Sequence, residues 1–392
     1  MKLQNNTDTI FISYDYPPLA GGISRLCVAV VDLLKEKNTT VSVITTKQKY
    51  SNILDDCFCS PSVFTIRVPR KRVFRELFTY LYLLFRVNNK KDRLVVTGLW
   101  YPEALLCVLS GFRKLVIFVH GNEVMENGRG VKGFILKRLR KFVFRHAQLI
   151  IANSNYTANL ARVIVPTGKI ISIPLGVDHV RFHSVADNLL LRKKFCIPED
   201  KIVILTVARI QPNKGHDVIL KALSLLNGVE KKAFYYLVIG KGDYLEALKS
   251  MAKNLNIENI VKWLGFISEE DLPNYYRLSD IFVLCTREEK YLQEVEGFGL
   301  VFLEAQASGI MTIGTNQGGI PDAIEHGNGG FLIDRNDYLQ LANYLRGFIR
   351  NPNGLAEQGR LARKRVENGC TWHHFGEKFY NALKNENLVN GL

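Results

Sequence analysis

The stretch Glu296-Gly297-Phe298-Gly299-Leu300-Val301-Phe302-Leu303-Glu304-Ala305-Gln306-Ala307-Ser308-Gly309 decides how the chain is read. It sets out an acid, a glycine loop, an apolar run of helical character and a second acid. A helix beginning near Leu300 puts Glu304 in its second turn and leaves Glu296 just ahead of its N-terminus. Gly297 and Gly299 permit backbone dihedrals closed to other residues and let a ligand come close. The first N–H groups of the helix then favour an anion such as a diphosphate. An acid on either side of an anion site suits a phosphorylated sugar, each carboxylate holding hydroxyls. A glycine-rich loop before an ordinary helix of an α/β protein gives the same pattern, so the rest of the chain must decide.

At 392 residues the chain exceeds one ordinary domain, and two are expected. Hydrophobic residues at 47 % and charged residues at 23 % fit a globular enzyme, not a disordered or fibrous chain. No apolar run reaches the roughly 18–20 residues that span a bilayer. Met1–Asp8 is polar, and the short apolar run behind it reads as a first strand, not a signal peptide. Cys27, Cys57, Cys59, Cys107, Cys196, Cys285 and Cys370 are scattered without a Cys-x-x-Cys spacing. They read as reduced thiols of a cytosolic protein, with Cys57 and Cys59 too isolated to suggest zinc. Charge is polarised: residues 1–190 carry 27 Lys and Arg against 13 Asp and Glu, residues 191–392 carry 25 against 24. A basic first half points to an anionic surface, either nucleic acid or a membrane rich in acidic lipids.

Short β-branched runs alternate with amphipathic stretches along the whole chain. Strands are expected at Thr9–Tyr14, Thr40–Thr45, Val63–Val68, Leu94–Thr97, Leu115–Val119 and Leu149–Ala152, with helices such as Ile23–Lys35 between them; Lys47–Pro61 has no clear pattern. The alternation pauses near Ile173–Asp178 and restarts at Lys201–Val207, Ala233–Ile239, Val261–Leu264, Ile281–Leu284, Met311–Gly314 and Gly330–Ile333. Repeated strand, crossover helix and strand imply parallel sheets covered on both faces. Two domains follow, 1–180 and 189–370, with a last helix in 371–392. Ligands of such sheets sit at the carboxyl ends of the strands, and with two facing domains the expected site is the cleft between them.

Two basic helices stand out in the first half. Arg70–Arg86 carries Phe78, Tyr80, Leu81, Tyr82, Leu83, Leu84 and Phe85 behind Arg-Lys-Arg. Val131–Arg145 carries Lys132, Lys137, Arg138, Arg140, Lys141 and Arg145 among Phe134, Ile135, Leu136, Leu139, Phe142 and Val143. This is the composition of an interfacial membrane helix; crossover helices with apolar faces on the sheet and basic faces in water are the alternative. Polar and glycine features also fall just after expected strands. Gly21-Gly22 follow the first, His120 with Gly121 and Glu123 follows Leu115–Val119, and Arg209 and Lys214 follow Lys201–Val207. Arg as a two-pronged donor and Lys as a point charge suit a diphosphate.

In this order, Pro17-Pro18-x-x-Gly21-Gly22, His120-Gly121-x-Glu123, Ala208-Arg209-x4-Lys214-Gly215, Gly240-x-Gly242, Glu296-Gly297-Phe298-Gly299 with Glu304, and Gly318-Gly319-x-Pro321 resemble the GT-B glycosyltransferases of family 4. The resemblance covers nearly the whole chain. It looks most like the bacterial branch that mannosylates phosphatidylinositol lipids. It implies an α/β GT-B fold, two Rossmann-like doubly wound domains facing across a cleft, with the C-terminal helix packing back toward the first domain. It also implies retaining transfer of a hexose, mannose or glucose in type, from a GDP- or UDP-linked sugar without cofactor or obligatory metal. By motif, Arg209 and Lys214 would bind the diphosphate and stabilise the leaving group. Glu296 would contact donor-sugar hydroxyls, Glu304 the ribose, and His120 the sugar near the reacting carbon. The backbone of Phe298, Gly299, Leu300 and Val301 would bind phosphate or sugar. Gly240 and Gly242 would line the donor site, and Gly22 would admit the phosphates and acceptor. No enzymic nucleophile is implied, since the leaving phosphate helps to deprotonate the acceptor; Glu296 as a covalent nucleophile is a minority reading.

The implied acceptor is lipid-linked or a cell-surface glycan, as in polysaccharide or lipopolysaccharide synthesis. The basic domain would dock on an anionic membrane, placing the protein in the cytoplasm at the inner face of the plasma membrane. The charged run Arg287–Val295 departs from shorter family versions and leaves the donor sugar and base open. A nucleotide-sugar epimerase on the same scaffold would need further acid/base residues near the sugar, and no clear set is present. A nucleic-acid partner is not expected: the aromatics interleave with basic residues at helical spacing, without a recognition motif.

Overall fold

The computed structural model describes residues 9–19, 21–37, 39–48, 63–125, 130–184, 189–288 and 294–389. Cys57 and Cys59, residues 49–61 of the patternless segment and residues 289–293 of the charged run lie outside them. Two compact units are present: Met1–Leu175 with Trp372–Leu392, and Gly176–Thr371.

The first unit holds a seven-stranded sheet of β1 (Thr9–Ile12), β2 (Val41–Thr46), β3 (Val63–Val68), β4 (Leu94–Thr97), β5 (Lys114–Val119), β6 (Leu149–Ala152) and β7 (Ile170–Ser172). Its order is β3-β2-β1-β4-β5-β6-β7 and every pairing is parallel. Parallel neighbours require crossovers, and the helices these supply bury both faces. Hence β1, β2, β4 and β6 are buried along their whole length. The order reverses between β1 and β4, which makes their carboxyl ends the switch point of this sheet.

The C-terminal helix Trp372–Asn385 belongs to this unit, as expected. Phe375 and Phe379 stack 6.2 Å apart, and Phe379 lies 5.6 Å from Phe118 of β5. Against the helix Gly22–Glu36, a Cβ on Gly376 would stand 2.9 Å from the Leu33 side chain, so the missing side chain allows the close crossing. Lys37 and Glu377 pair at 2.9 Å beside it.

The second unit holds β8 (Ile202–Val207), β9 (Phe234–Ile239), β10 (Val261–Gly265), β11 (Ile281–Leu284), β12 (Met311–Thr315) and β13 (Gly330–Ile333) in the order β10-β9-β8-β11-β12-β13, again all parallel. Its switch point lies between β8 and β11. Both units are therefore doubly wound. The sequence pattern misses β7, whose three residues are too short for a period, and the helices Leu189–Lys194, Gly228–Lys232, Leu272–Arg277 and Ile320–Ala323, each under two turns. The second unit starts at Gly176 because Val177 already pairs with Thr371, its N–H donating to the Cys370 carbonyl at 2.9 Å.

Both basic helices turn a few side chains into the core and leave many of their apolar residues in solvent. Arg72–Arg86 buries Thr79 and Leu83 but exposes Val73, Phe74, Leu77, Phe78, Leu81 and Phe85. Gly130–His146 buries Val143 and Phe144 but exposes Val131, Phe134, Ile135 and Phe142. Arg140, read from sequence as part of the basic face, is buried and donates to the Glu123 and Met125 carbonyls at 3.1 and 2.7 Å. No helix among the described residues is long and apolar enough to cross a membrane.

Phe379→Ala should destabilise the first unit by about 3–5 kcal/mol, because the cavity between the C-terminal helix and β5 cannot collapse. Urea unfolding followed by circular dichroism measures this; a loss under about 1 kcal/mol would show that the helix does not depend on the ring.

Candidate active site

The loop leaving β8 is shaped around Lys214. Pro212–Lys214 forms a single tight turn, closed by Gly215 in the left-handed region at φ 71°. A Cβ on Gly215 would lie 1.8 Å from the Cys285 carbonyl oxygen, so no other residue fits. Arg287 clamps the turn from the end of β11. Its guanidinium donates to Asp217 Oδ1 at 2.5 Å, to the Pro212 carbonyl at 2.9 Å and to Asn336 Oδ1 at 2.8 Å. Its N–H donates to the Asn213 carbonyl at 2.8 Å. Held in this way, Lys214 places Nζ 2.8 Å from Glu296 Oε2, both side chains largely buried. Arg209 is different: its side chain is 63 % exposed and stands 4.0 Å from Glu294, which also accepts from Asn213 Nδ2.

Gly240 and Gly242 serve that loop. Cβ atoms there would lie 1.8 Å from the Ala208 carbonyl oxygen and 2.0 Å from that of Ile210. The space left by the two missing side chains is thus filled by the backbone on either side of Arg209, which fixes where that residue leaves the sheet.

The quoted stretch folds as its pattern predicts. Gly299 sits at φ 90° and turns the chain into the helix Leu300–Ala307. Gly318 and Gly319 support it from β12: a Cβ on Gly319 would lie 1.9 Å from the Gly297 carbonyl oxygen, and the Gly319 N–H donates to the Glu296 carbonyl at 2.8 Å. Phe298 is buried, so what it offers a ligand is backbone; Leu300 and Val301 are half-buried. Glu304 is buried in the second turn, one carboxylate oxygen accepting from the Tyr276 hydroxyl at 2.9 Å.

In the first unit His120 follows β5, half-buried. Its Nε2 lies 2.8 Å from the Gly98 carbonyl, which only accepts, so Nε2 carries the proton. Its backbone N–H donates to the Glu123 carboxylate, and the Glu123 carbonyl is held by the Trp100 indole at 3.0 Å. Gly22 opens the helix Gly22–Glu36 and is exposed, behind Gly21 at φ 140°.

Arg209, Lys214, Glu296, Gly299, Leu300, Val301 and Glu304 thus come from elements at the switch point of the second sheet, while His120 and Gly22 belong to the first unit. Sequence reasoning missed Arg287, Asp217, Glu294 and Tyr276. Of these only Arg287 carried a signal, a cation three residues beyond a strand. It also missed His216, fully buried beside Lys214, Asp217 and Arg287.

Two family models match the chain. Residues 20–181 match the family model described as Glycosyltransferase Family 4, and residues 187–365 the one described as Glycosyl transferases group 1. The chain is 26 % identical to a GDP-mannose-dependent alpha-(1-6)-phosphatidylinositol monomannoside mannosyltransferase of Mycobacterium tuberculosis, over 97 % of this chain and 99 % of that one. It is also 26 % identical to a GDP-mannose-dependent monoacylated alpha-(1-6)-phosphatidylinositol monomannoside mannosyltransferase of Corynebacterium glutamicum, over 96 % and 98 %. The crystal structure of Anabaena HepE in complex with UDP and glucose shares the fold, with a TM-score of 0.76 at 19 % identity over 97 % of this chain and all of that one.

Burial pushes the His216 pKa down from 6.5 to about 4, helped by Lys214 and Arg287 and opposed by Asp217. The depressed value means that its contribution to stability is complete above pH 6.5 and is lost as pH falls toward 4, on the order of 3 kcal/mol. Urea unfolding between pH 7 and 4 should show this slope, and His216→Leu should flatten it; an equally steep profile in the variant would contradict it.

Proposed function

This chain belongs to the GT-B glycosyltransferases of group 1 and family 4, and from that premise we propose that it moves a hexose from a nucleoside-diphosphate sugar to a lipid-linked or cell-surface glycan acceptor. The transfer retains the anomeric configuration and needs no metal. The carrying observation is the Lys214–Glu296 pair at the switch point, with Arg209 exposed beside it. A diphosphate takes Lys214 as countercharge, and Glu296, released from the pair, turns to the sugar hydroxyls. Arg209 reaches the same phosphates without leaving a well-made pair, since 4.0 Å and an exposed side chain make a weak one. Fixed cations stabilise the charge that grows on the departing diphosphate. The bond from the anomeric carbon to phosphate oxygen breaks, the bond to the acceptor oxygen forms on the same face, and the acceptor proton passes to the leaving phosphate.

The ribose of the donor is assigned to Glu304, and the phosphates to the Phe298–Val301 backbone. His120 takes its role, contact with the donor sugar, from the family resemblance. The relatives reported above are named as GDP-mannose-dependent transferases of phosphatidylinositol mannosides, which favours mannose and a lipid acceptor, and favours transfer over epimerisation.

Membrane docking rests on the first unit. Phe74 and Phe85 are 61 % and 73 % exposed on Arg72–Arg86, Phe134 and Ile135 are 55 % and 57 % exposed on Gly130–His146, and Leu109 is exposed on the short helix Leu105–Leu109 that both pack against. Exposed Lys71, Arg72, Arg86, Lys132, Arg138, Lys141 and Arg145 flank them. Apolar side chains ringed by cations fit an anionic lipid surface, which would hold the protein at the cytoplasmic leaflet.

Arg209→Ala and Lys214→Ala should each lower kcat/KM by about a hundredfold or more while the folded protein keeps its circular dichroism spectrum. Unchanged turnover would remove them from the site. Sedimentation with phosphatidylglycerol vesicles should pull the protein down at low salt, release it at high salt, and fail for a Phe74→Ser, Phe85→Ser variant. Equal binding to neutral vesicles would sink the docking claim.

A further inference from the structure

One buried acid of the first unit lies outside the site assigned so far. Glu103 has no exposed surface and follows β4 by six residues. Its Oε1 accepts the Tyr14 N–H at 2.9 Å and its Oε2 accepts the Leu99 N–H at 2.7 Å. These N–H groups stand just beyond the carboxyl ends of β1 and β4, the neighbours at the switch point. The Leu99 N–H and the Gly98 carbonyl are two ends of one planar peptide group. That carbonyl is the partner of His120 Nε2 at 2.8 Å. Carboxylate, peptide and imidazole therefore form one unbroken line of hydrogen bonds, in which each bond polarises the next. The line depends on a close approach: a Cβ on Gly98 would lie 2.6 Å from Ser13 Oγ and 3.5 Å from Glu103 Oε2.

We propose that Glu103 is a positioning residue for His120: through the Gly98–Leu99 peptide it fixes the ring's orientation and keeps the proton on Nε2, leaving Nδ1 as the ring's acceptor. This rests on the reading of His120 as a residue of the transfer site. Ionised, the carboxylate accepts both N–H groups; protonated, one oxygen becomes a donor and the grip on the pair loosens. Burial pushes Glu103 up to about 8, opposed by the Tyr14 and Leu99 N–H groups and Arg75 and reinforced by Asp15. Tyr14, Cys27 and Cys107 are the other titratable groups that face it. The grip on His120 is accordingly complete only above about pH 8.

The test is Glu103→Gln in the full chain, isosteric and uncharged. Two readouts are taken: kcat and donor KM from pH 6 to 10, and the ring nitrogen resonances of His120, located by their loss in His120→Asn. Wild type should show kcat rising through pH 8. Glu103→Gln should lose that limb and about tenfold in kcat, with donor KM unchanged within twofold, the lower end of the range for partners that orient metal-ligating histidines. The His120 resonances should move as well. A wild-type profile together with unmoved resonances would overturn the proposal. Should His120→Asn transfer at the wild-type rate while Glu103→Gln still moves the His120 resonances, the reading of His120 fails and the link from Glu103 to the ring stands. Should Glu103→Gln not fold, Gly98→Ala displaces the same peptide with Glu103 intact and must move the same resonances; unmoved resonances there overturn the proposal equally.

Discussion

An ammonium and a carboxylate 2.8 Å apart, Lys214 and Glu296, hold together the loops that leave β8 and β11. The sheet makes the pairing possible, since parallel strands place every such loop at one edge. Removing one member of a largely buried pair leaves the other charge uncompensated, at a cost of several kcal/mol. An incoming ligand that replaces the pair must therefore bring its own negative charge for Lys214 and hydrogen-bond donors for Glu296. A sugar diphosphate carries both in one molecule.

Much of what surrounds the pair acts on the backbone. Gly215, Gly240, Gly242 and Gly319 are fixed by the carbonyls they lie against, not by a need for open space. Arg287 spends its guanidinium on Asp217, Asn336 and the Pro212 carbonyl. The result is a turn that presents Lys214 at one angle, and positioning of this kind is what the proposed transfer would draw on beside the charge. The first unit repeats the logic with other groups, Glu103 holding the peptide that holds His120.

Both doubly wound sheets were legible in the sequence because fully buried parallel strands read as runs of apolar and β-branched residues, and Leu94–Thr97 and Ile281–Leu284 stand where the pattern puts them. The residues meeting at the second switch point were legible too, since each follows a strand. What stayed hidden depends on tertiary packing. No linear pattern shows that Arg140 turns inward, that Glu294 stands beside Arg209, or that the Tyr276 hydroxyl reaches Glu304 across 28 positions. The glycine motifs were visible, but whether a missing Cβ admits a ligand or a carbonyl is decided only by the neighbouring loop. The apolar residues of Arg72–Arg86 were visible as well, as the composition of an interfacial helix, but that Leu83 among them turns into the core was not.

The most direct measurement is a thermal-shift series in EDTA with GDP-mannose, UDP-glucose, UDP-galactose, UDP-N-acetylglucosamine and the matching nucleoside di- and monophosphates. A ligand that binds only the folded state raises the melting temperature in proportion to its affinity. One nucleoside-diphosphate sugar and its diphosphate should raise it by several degrees, with the matching monophosphate far weaker. A monophosphate as effective as the diphosphate, or no stabilisation until a divalent metal is restored, would contradict it.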